Sequence, residues 1–177
     1  MYIYGSNTTS TMNNFRVENC ELTGMYYMPV YMYYVGELKF IGNKVVQNSA
    51  YTTKYLGYIM YGFNTVIERN IFLSDGGTSG YGLYLYYDNY YQAGMSRIVN
   101  NMITVRNCTN VYYGVYHYYS NGSLFAHNTI RVESAYASGY ALYSYYGANN
   151  SYLNNIVTHG GAGYAWYVAP GTNVVQS

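Results

Sequence analysis

The chain has 177 residues, one domain's worth, and only 8% of them are charged where roughly 25% is ordinary. A net charge of +1 supplies no long-range field, which argues against an electrostatic grip on nucleic acid or an anionic membrane surface. Tyrosine contributes 30 residues and lifts the apolar fraction to 50%, so the chain can bury a core; no apolar run approaches the ~18 residues of a membrane span, and no charged-then-apolar leader opens the chain.

Two short blocks alternate along the chain. The first reads apolar, polar, Asn, any, apolar. An early copy runs from Phe15 to Leu22 around Asn19, with room for a one-residue slip. Later copies are Phe40 to Val45, Val66 to Phe72, Ile98 to Ile103, Leu124 to Ile130 and Tyr152 to Val157. Their anchor residues Asn43, Asn70, Asn101, Asn128 and Asn155 are spaced 27, 31, 27 and 27. The second block has the form Tyr-small-apolar-Tyr-x-aromatic. It begins at Ile3-Tyr4 and returns at Val30 to Tyr33, Tyr58 to Phe63, Tyr81 to Tyr86, Tyr113 to Tyr118, Tyr140 to Tyr145 and Tyr164 to Tyr167. Each block alternates with period 2 and is bounded by Gly, Asn and Ser, which predicts short strands and no helix. A repeat near 27 residues with two or three strands per turn is the length of one rung of a parallel β-solenoid.

This texture, Gly82-Leu83-Tyr84-Leu85-Tyr86 followed by Ile98-Val99-Asn100-Asn101-Met102-Ile103, resembles the parallel β-helix repeats of the pectate-lyase-like superfamily, over essentially the whole chain. The resemblance implies an all-β, right-handed parallel β-helix of six to seven rungs and a single domain over residues 1–177. It implies little about activity, because such repeats serve polysaccharide-cleaving enzymes and non-enzymatic bacterial surface proteins alike. It also implies that Asn43, Asn70, Asn101, Asn128 and Asn155 stack into a hydrogen-bonded ladder.

Equivalent positions of neighbouring rungs lie ~4.8 Å apart, so columns can be read from the repeat. The reading places Tyr4, Tyr31, Tyr61, Tyr84, Tyr116, Tyr143 and Tyr167 in one outward column. Tyr33, Phe63, Tyr86, Tyr118 and Tyr145 stand two residues on, and Met32, Gly62, Leu85, His117, Ser144 and Val168 point inward between the two. The expected binding surface is therefore a two-lane strip of Tyr31, Tyr33, Tyr61, Tyr84, Tyr86, Tyr116, Tyr118, Tyr143, Tyr145 and Tyr167. Such a strip suits sugar rings or a partner protein. Stacked tyrosines also stabilise in-register strands without any ligand.

The catalytic alternative is a polysaccharide lyase or hydrolase. It rests on Asp75, Arg106 and Glu133, which share the column five residues past the anchor Asn. Asp75 and Glu133 would then stand ~9.6 Å apart, at the upper edge for an inverting carboxylate pair, with Arg106 between them. An acid–base–acid stack also reads as a surface ion ladder. Glu18, Glu21, Glu37, Glu68 and Asp88 form no second cluster. His117 falls in an inward slot, His127 at a turn and His159 in the last rung, in different columns, so no metal site and no cofactor is expected.

Cys20 and Cys108 fall three rungs apart, ~14 Å, too far for a disulfide, and both are expected as free thiols. With 20 Asn and three Lys, the composition suggests an extracellular or cell-surface protein, although no secretion signal is present in this chain; the four Asn-x-Ser/Thr sequons are what chance supplies at this Asn content. Neither end shows a capping helix, which suggests either a segment of a longer array or copies stacked end to end as a filament. The expected function is a non-catalytic structural or adhesive solenoid whose partner is itself or a polysaccharide such as a cell-surface glycan, with neither nucleic acid nor a membrane span involved.

Overall fold

Each period-2 block becomes a strand, and each strand pairs in parallel with its equivalent one turn away. A computed structural model describes residues 1–48, 52–169 and the backbone of 175–176. Among them there is no helix, and the strands form a parallel β-solenoid of about six turns with ~27 residues per turn. One seven-stranded sheet contains Tyr2–Tyr4, Val30–Tyr33, Thr53–Met60, Ser79–Tyr86, Asn110–Tyr118, Tyr140–Tyr145 and Tyr164–Val168. A second runs from Arg16–Glu18 through Lys39–Ile41, Val66–Glu68, Ser96–Val99, Ser123–Ala126 and Ser151–Leu153 to Val175–Gln176. The third stacks Glu21–Thr23, Lys44–Gln47, Ile71–Asp75, Met102–Arg106, Thr129–Glu133 and Ile156–His159.

The inward residues of the three sheets meet in one core containing Phe40, Phe72, Ile67, Leu85, Ile98, Val115, Phe125 and Tyr152, all essentially without solvent contact. The long strands of the first sheet bury two consecutive residues at mid-strand. Close approach of the next rung explains the small residue in the tyrosine block: a Cβ on Gly82 would lie 1.9 Å from the Gly114 carbonyl oxygen. The four additional residues between Asn70 and Asn101 are absorbed outside the core by the loop after Tyr86, where Gln92 donates a hydrogen bond to the Thr8 carbonyl of the first turn.

The turn between the second and third sheets holds the rungs in phase. The residue before each ladder position adopts the left-handed conformation: Asn19, Gly42, Arg69, Asn100, His127 and Asn154, with φ between +52° and +66°. The next residue turns its amide inward. The backbone N–H of Asn43 donates to Asn70 Oδ1 (2.8 Å), Asn70 N–H to Asn101 Oδ1, Asn101 N–H to Asn128 Oδ1 and Asn128 N–H to Asn155 Oδ1, each of the last three at 3.0 Å. The Nδ2 groups donate both to the next Oδ1 and to a strand carbonyl, as from Asn101 to Asn128 Oδ1 and to the Ile67 oxygen. The first position belongs to Cys20, whose N–H donates to Asn43 Oδ1 at 2.9 Å, while Asn19 aligns with Gly42. The one-residue slip allowed for that copy is therefore real.

Cys20 is exposed, Cys108 is buried, and both are free. Removing one ladder amide strands buried partners on the preceding rung. Asn101→Ala leaves the Asn70 N–H unpaired and takes one donor from the Ile67 carbonyl, and is expected to lower unfolding free energy by about 2 kcal/mol in a denaturant titration.

Candidate functional site

The first sheet turns a nearly pure tyrosine surface outward, and the rung-to-rung pairing fixes its columns. The main lane is Tyr2, Tyr31, Tyr58, Tyr84, Tyr116, Tyr143 and Tyr167. Successive ring centroids are 4.7, 5.5, 5.2, 4.2, 5.4 and 5.0 Å apart, and no pair is more than 17° from parallel. Two positions differ from the sequence-based columns. Tyr2 rather than Tyr4 opens the main lane, because Tyr2-Ile3-Tyr4 fits two adjacent lanes equally well. Tyr58 rather than Tyr61 occupies the third rung, since a three-residue slip would reverse parity and turn the buried Ile59 outward. The inward column accordingly runs Ile3, Met32, Ile59, Leu85, His117, Ser144 and Val168, without Gly62.

A second lane contains Tyr4, Tyr33, Met60, Tyr86, Tyr118 and Tyr145, so Met60 stands where Phe63 was expected. Two further lanes were not foreseen. One lies upstream: Tyr55, Tyr81, Tyr113, Tyr140 and Tyr164, with a bulge at Tyr112 that stacks this extra ring 5.2 Å from Tyr81. The other lies just past the strand ends and contains Tyr34, Tyr61, Tyr87, Tyr119 and Tyr146, stacked at 4.8 to 5.3 Å. Twenty-two of the chain's 30 tyrosines thus stand in four lanes.

The last lane has an energetic peculiarity. All five of its tyrosines adopt left-handed backbone, with φ between +48° and +58°. That conformation costs a side chain with a Cβ roughly 1–2 kcal/mol, and Gly would relieve most of it. The rings recover part of the cost edge-to-face on the second lane: Tyr33 with Tyr34 and Tyr86 with Tyr87 at 4.4 Å, Tyr118 with Tyr119 at 4.7 Å, Tyr145 with Tyr146 at 4.0 Å. The recurrent Tyr-Tyr dipeptides are the sequence signal that marks this lane.

Rings that stack on the rungs above and below have their faces covered and present edges and hydroxyls outward. Sugar stacking on ring faces is thereby closed along the interior of the lanes. Burial raises the phenol pKa values of Tyr58, Tyr84, Tyr113 and Tyr116, so these hydroxyls stay protonated donors at neutral pH. No charged residue occupies any of the four lanes. At one end of the face, Tyr2 and Tyr31 join Met1, Met25 and Met28 around an open apolar cleft of about 470 Å³.

Asp75, Arg106 and Glu133 do share a column on the third sheet. The Arg106 Nε and Nη2 groups donate to Asp75 Oδ2 at 3.0 and 2.9 Å, and Asn107 Nδ2 donates to Oδ1 at 2.7 Å. These bonds hold the Asp75 carboxyl below the usual carboxylate range, the direction opposite to a general acid. Glu133 pairs with Arg131 at 2.7 Å instead and borders an open cleft with Thr158 and His159. His117 is buried between Tyr152 OH, 3.0 Å from Nδ1, and Ser123 Oγ, 3.2 Å from Nε2; burial drives its pKa down to about 3 and keeps it neutral. His127 lies in its turn at φ +57°. Among the described residues no group of three or more His, Cys, Asp or Glu could hold a metal ion.

Two buried charged residues were also missed from sequence. Lys54 runs into the core and donates from Nζ to the Asp75 carbonyl at 2.8 Å. Asp88 is buried and accepts from Thr65 Oγ1 at 2.9 Å. The chain matches no protein-family model, and no significant match was found among curated proteins or solved structures.

Burial lifts the Asp88 pKa from 3.8 to about 6. The folded state therefore binds a proton more tightly than the unfolded chain. The stability this confers is complete below pH ~4 and disappears as pH rises through about 6. Asp88→Asn is expected to stabilise the protein at pH 8 by about 2–3 kcal/mol and to change little at pH 4, as measured by denaturant midpoints.

Proposed function

We propose that the chain is a non-catalytic extracellular structural or adhesive solenoid and that its tyrosine face is the surface through which it makes contact. The observation that carries this reading is the four-lane face itself: uncharged, built from tyrosine at every lane position of the long strands but Met60, and maintained at one lane against an unfavourable backbone conformation. Contiguous aromatic surface of this extent marks an interaction site. Its outward hydroxyls and ring edges suit a neutral polyhydroxylated polymer such as a cell-surface glycan, or the same face or rung edge of a second copy, which would propagate as a filament. The commitment of Asp75 to Arg106 and of Glu133 to Arg131 favours this over a lyase or hydrolase.

The reading predicts adsorption that is insensitive to salt, because no charge is screened. The protein should be retained by a panel of insoluble neutral polysaccharides or sediment with itself. The combined Tyr58→Ser, Tyr84→Ser and Tyr116→Ser variant should lose that retention while keeping its far-ultraviolet circular dichroism. Retention unchanged in the variant would remove the face from the account. Release of reducing ends or unsaturated products, abolished in Glu133→Ala and Asp75→Ala, would replace it with an enzyme.

A further inference from the structure

The stacking that covers the ring faces also makes a continuous path along the solenoid axis. The main lane is an unbroken column of seven phenols, Tyr2 to Tyr167, and every step lies between 4.2 and 5.5 Å. The neighbouring lanes touch it edge-on, as Tyr55 does at 5.7 Å from Tyr84 and Tyr113 at 6.2 Å. The interruption at Met60 is bridged: Tyr33 lies 5.2 Å from Tyr61, Tyr61 stacks 5.2 Å from Tyr87, and Tyr87 lies 4.4 Å from Tyr86.

Phenol is the most readily oxidised side chain these lanes contain, and the main lane repeats it on every rung. No charge in the lanes creates a trap. Oxidised phenol must also lose its proton, and on three rungs a second phenol ring stands within 4.4 Å: Tyr33 with Tyr34, Tyr86 with Tyr87, Tyr145 with Tyr146.

We propose that the tyrosine face carries one-electron oxidising equivalents along the solenoid, from a metal-centred one-electron oxidant at one end of the lanes to an aminophenol- or catechol-type donor at the other. The oxidant takes one electron from the nearest phenol, whose O–H proton passes to water, leaving a neutral tyrosyl radical. At each hop the next phenol gives up an electron and a proton, and the previous radical regains both and is a phenol again. At the far end the donor supplies the last electron and proton. The net change is one-electron reduction of the oxidant and one-electron oxidation of the donor, with every tyrosine restored.

The test uses the full chain carrying Tyr2→Cys and Cys20→Ser, with a ruthenium polypyridyl photo-oxidant attached at position 2 and the radical trap 3-aminotyrosine in place of Tyr167. The remaining thiol, Cys108, is buried and its Sγ donates to the Gly76 carbonyl, so labelling is confined to position 2. Six strand spacings, about 29 Å, separate label and trap. A flash is expected to produce the aminotyrosyl radical, followed by transient absorption and electron paramagnetic resonance. Replacing one whole rung with Tyr81→Phe, Tyr84→Phe, Tyr86→Phe and Tyr87→Phe, together with Tyr90→Phe and Tyr91→Phe, which would otherwise bridge Tyr61 to Tyr119, keeps stacked rings but removes the oxidisable phenols, and should slow trap formation by an order of magnitude. The rung of Tyr112, Tyr113, Tyr116, Tyr118 and Tyr119 provides an independent break should the first perturb folding. No trap radical with all rungs intact, or equal rates with and without the break, would overturn the proposal.

Discussion

The structure depends on one constraint: each rung must lie directly over the last, one strand spacing away, with no slip. Backbone pairing alone does not impose it, because a parallel ladder forms in any register that keeps the apolar face inward. The buried Asn amides do. Each Oδ1 accepts from the N–H of the preceding rung's Asn, and each Nδ2 donates to that rung's strand carbonyl, so a slipped rung would leave several buried polar groups unpaired. With phase fixed at one corner, every column follows, including the tyrosine lanes on the opposite sheet.

The tyrosine face shows a balance of opposing terms. Left-handed backbone at Tyr34, Tyr61, Tyr87, Tyr119 and Tyr146 costs free energy that Gly, used in the same conformation at Gly42 and Gly122, would not incur. Edge-to-face pairs and axial stacking offset part of that cost. The retained geometry spends ring faces on internal contacts and exposes edges and hydroxyls. It also leaves the phenols neutral, through burial from water and the proximity of other phenols. The outer surface is consequently polar without charge, which sets what it can recognise.

Much of the fold was legible because the repeat is written in residue types with strong positional meaning. Asn43, Asn70, Asn101, Asn128 and Asn155 mark the corner, and alternation marks the strands; the rung count, the parallel architecture and the free cysteines follow from these. The third rung misled because its block is reversed: Leu56-Gly57 stands where other rungs have Gly82-Leu83, Gly114-Val115 and Ala141-Leu142, so Tyr58 to Tyr61 imitated the motif three residues late. The lane at positive φ was overlooked, although the Tyr-Tyr dipeptides mark it, because bulky residues are expected to avoid that conformation. Asp88 and Lys54 were missed since charged residues are read as exposed unless a partner is evident, and theirs are a hydroxyl and a backbone carbonyl. Asp75, Arg106 and Glu133 were placed in their column correctly, but sequence did not reveal that Arg131 takes Glu133 away from Arg106.

The register of the tyrosine lanes is the claim on which the rest turns, and ring-to-ring distances test it directly. Solid-state magic-angle-spinning measurements on protein with ring-labelled tyrosine, assigned by single Tyr→Phe replacements, should connect Tyr58 to Tyr84 and Tyr61 to Tyr87, each pair with centroids 5.2 Å apart. A direct Tyr61–Tyr84 contact without one between Tyr58 and Tyr84 would contradict the register and the face built on it.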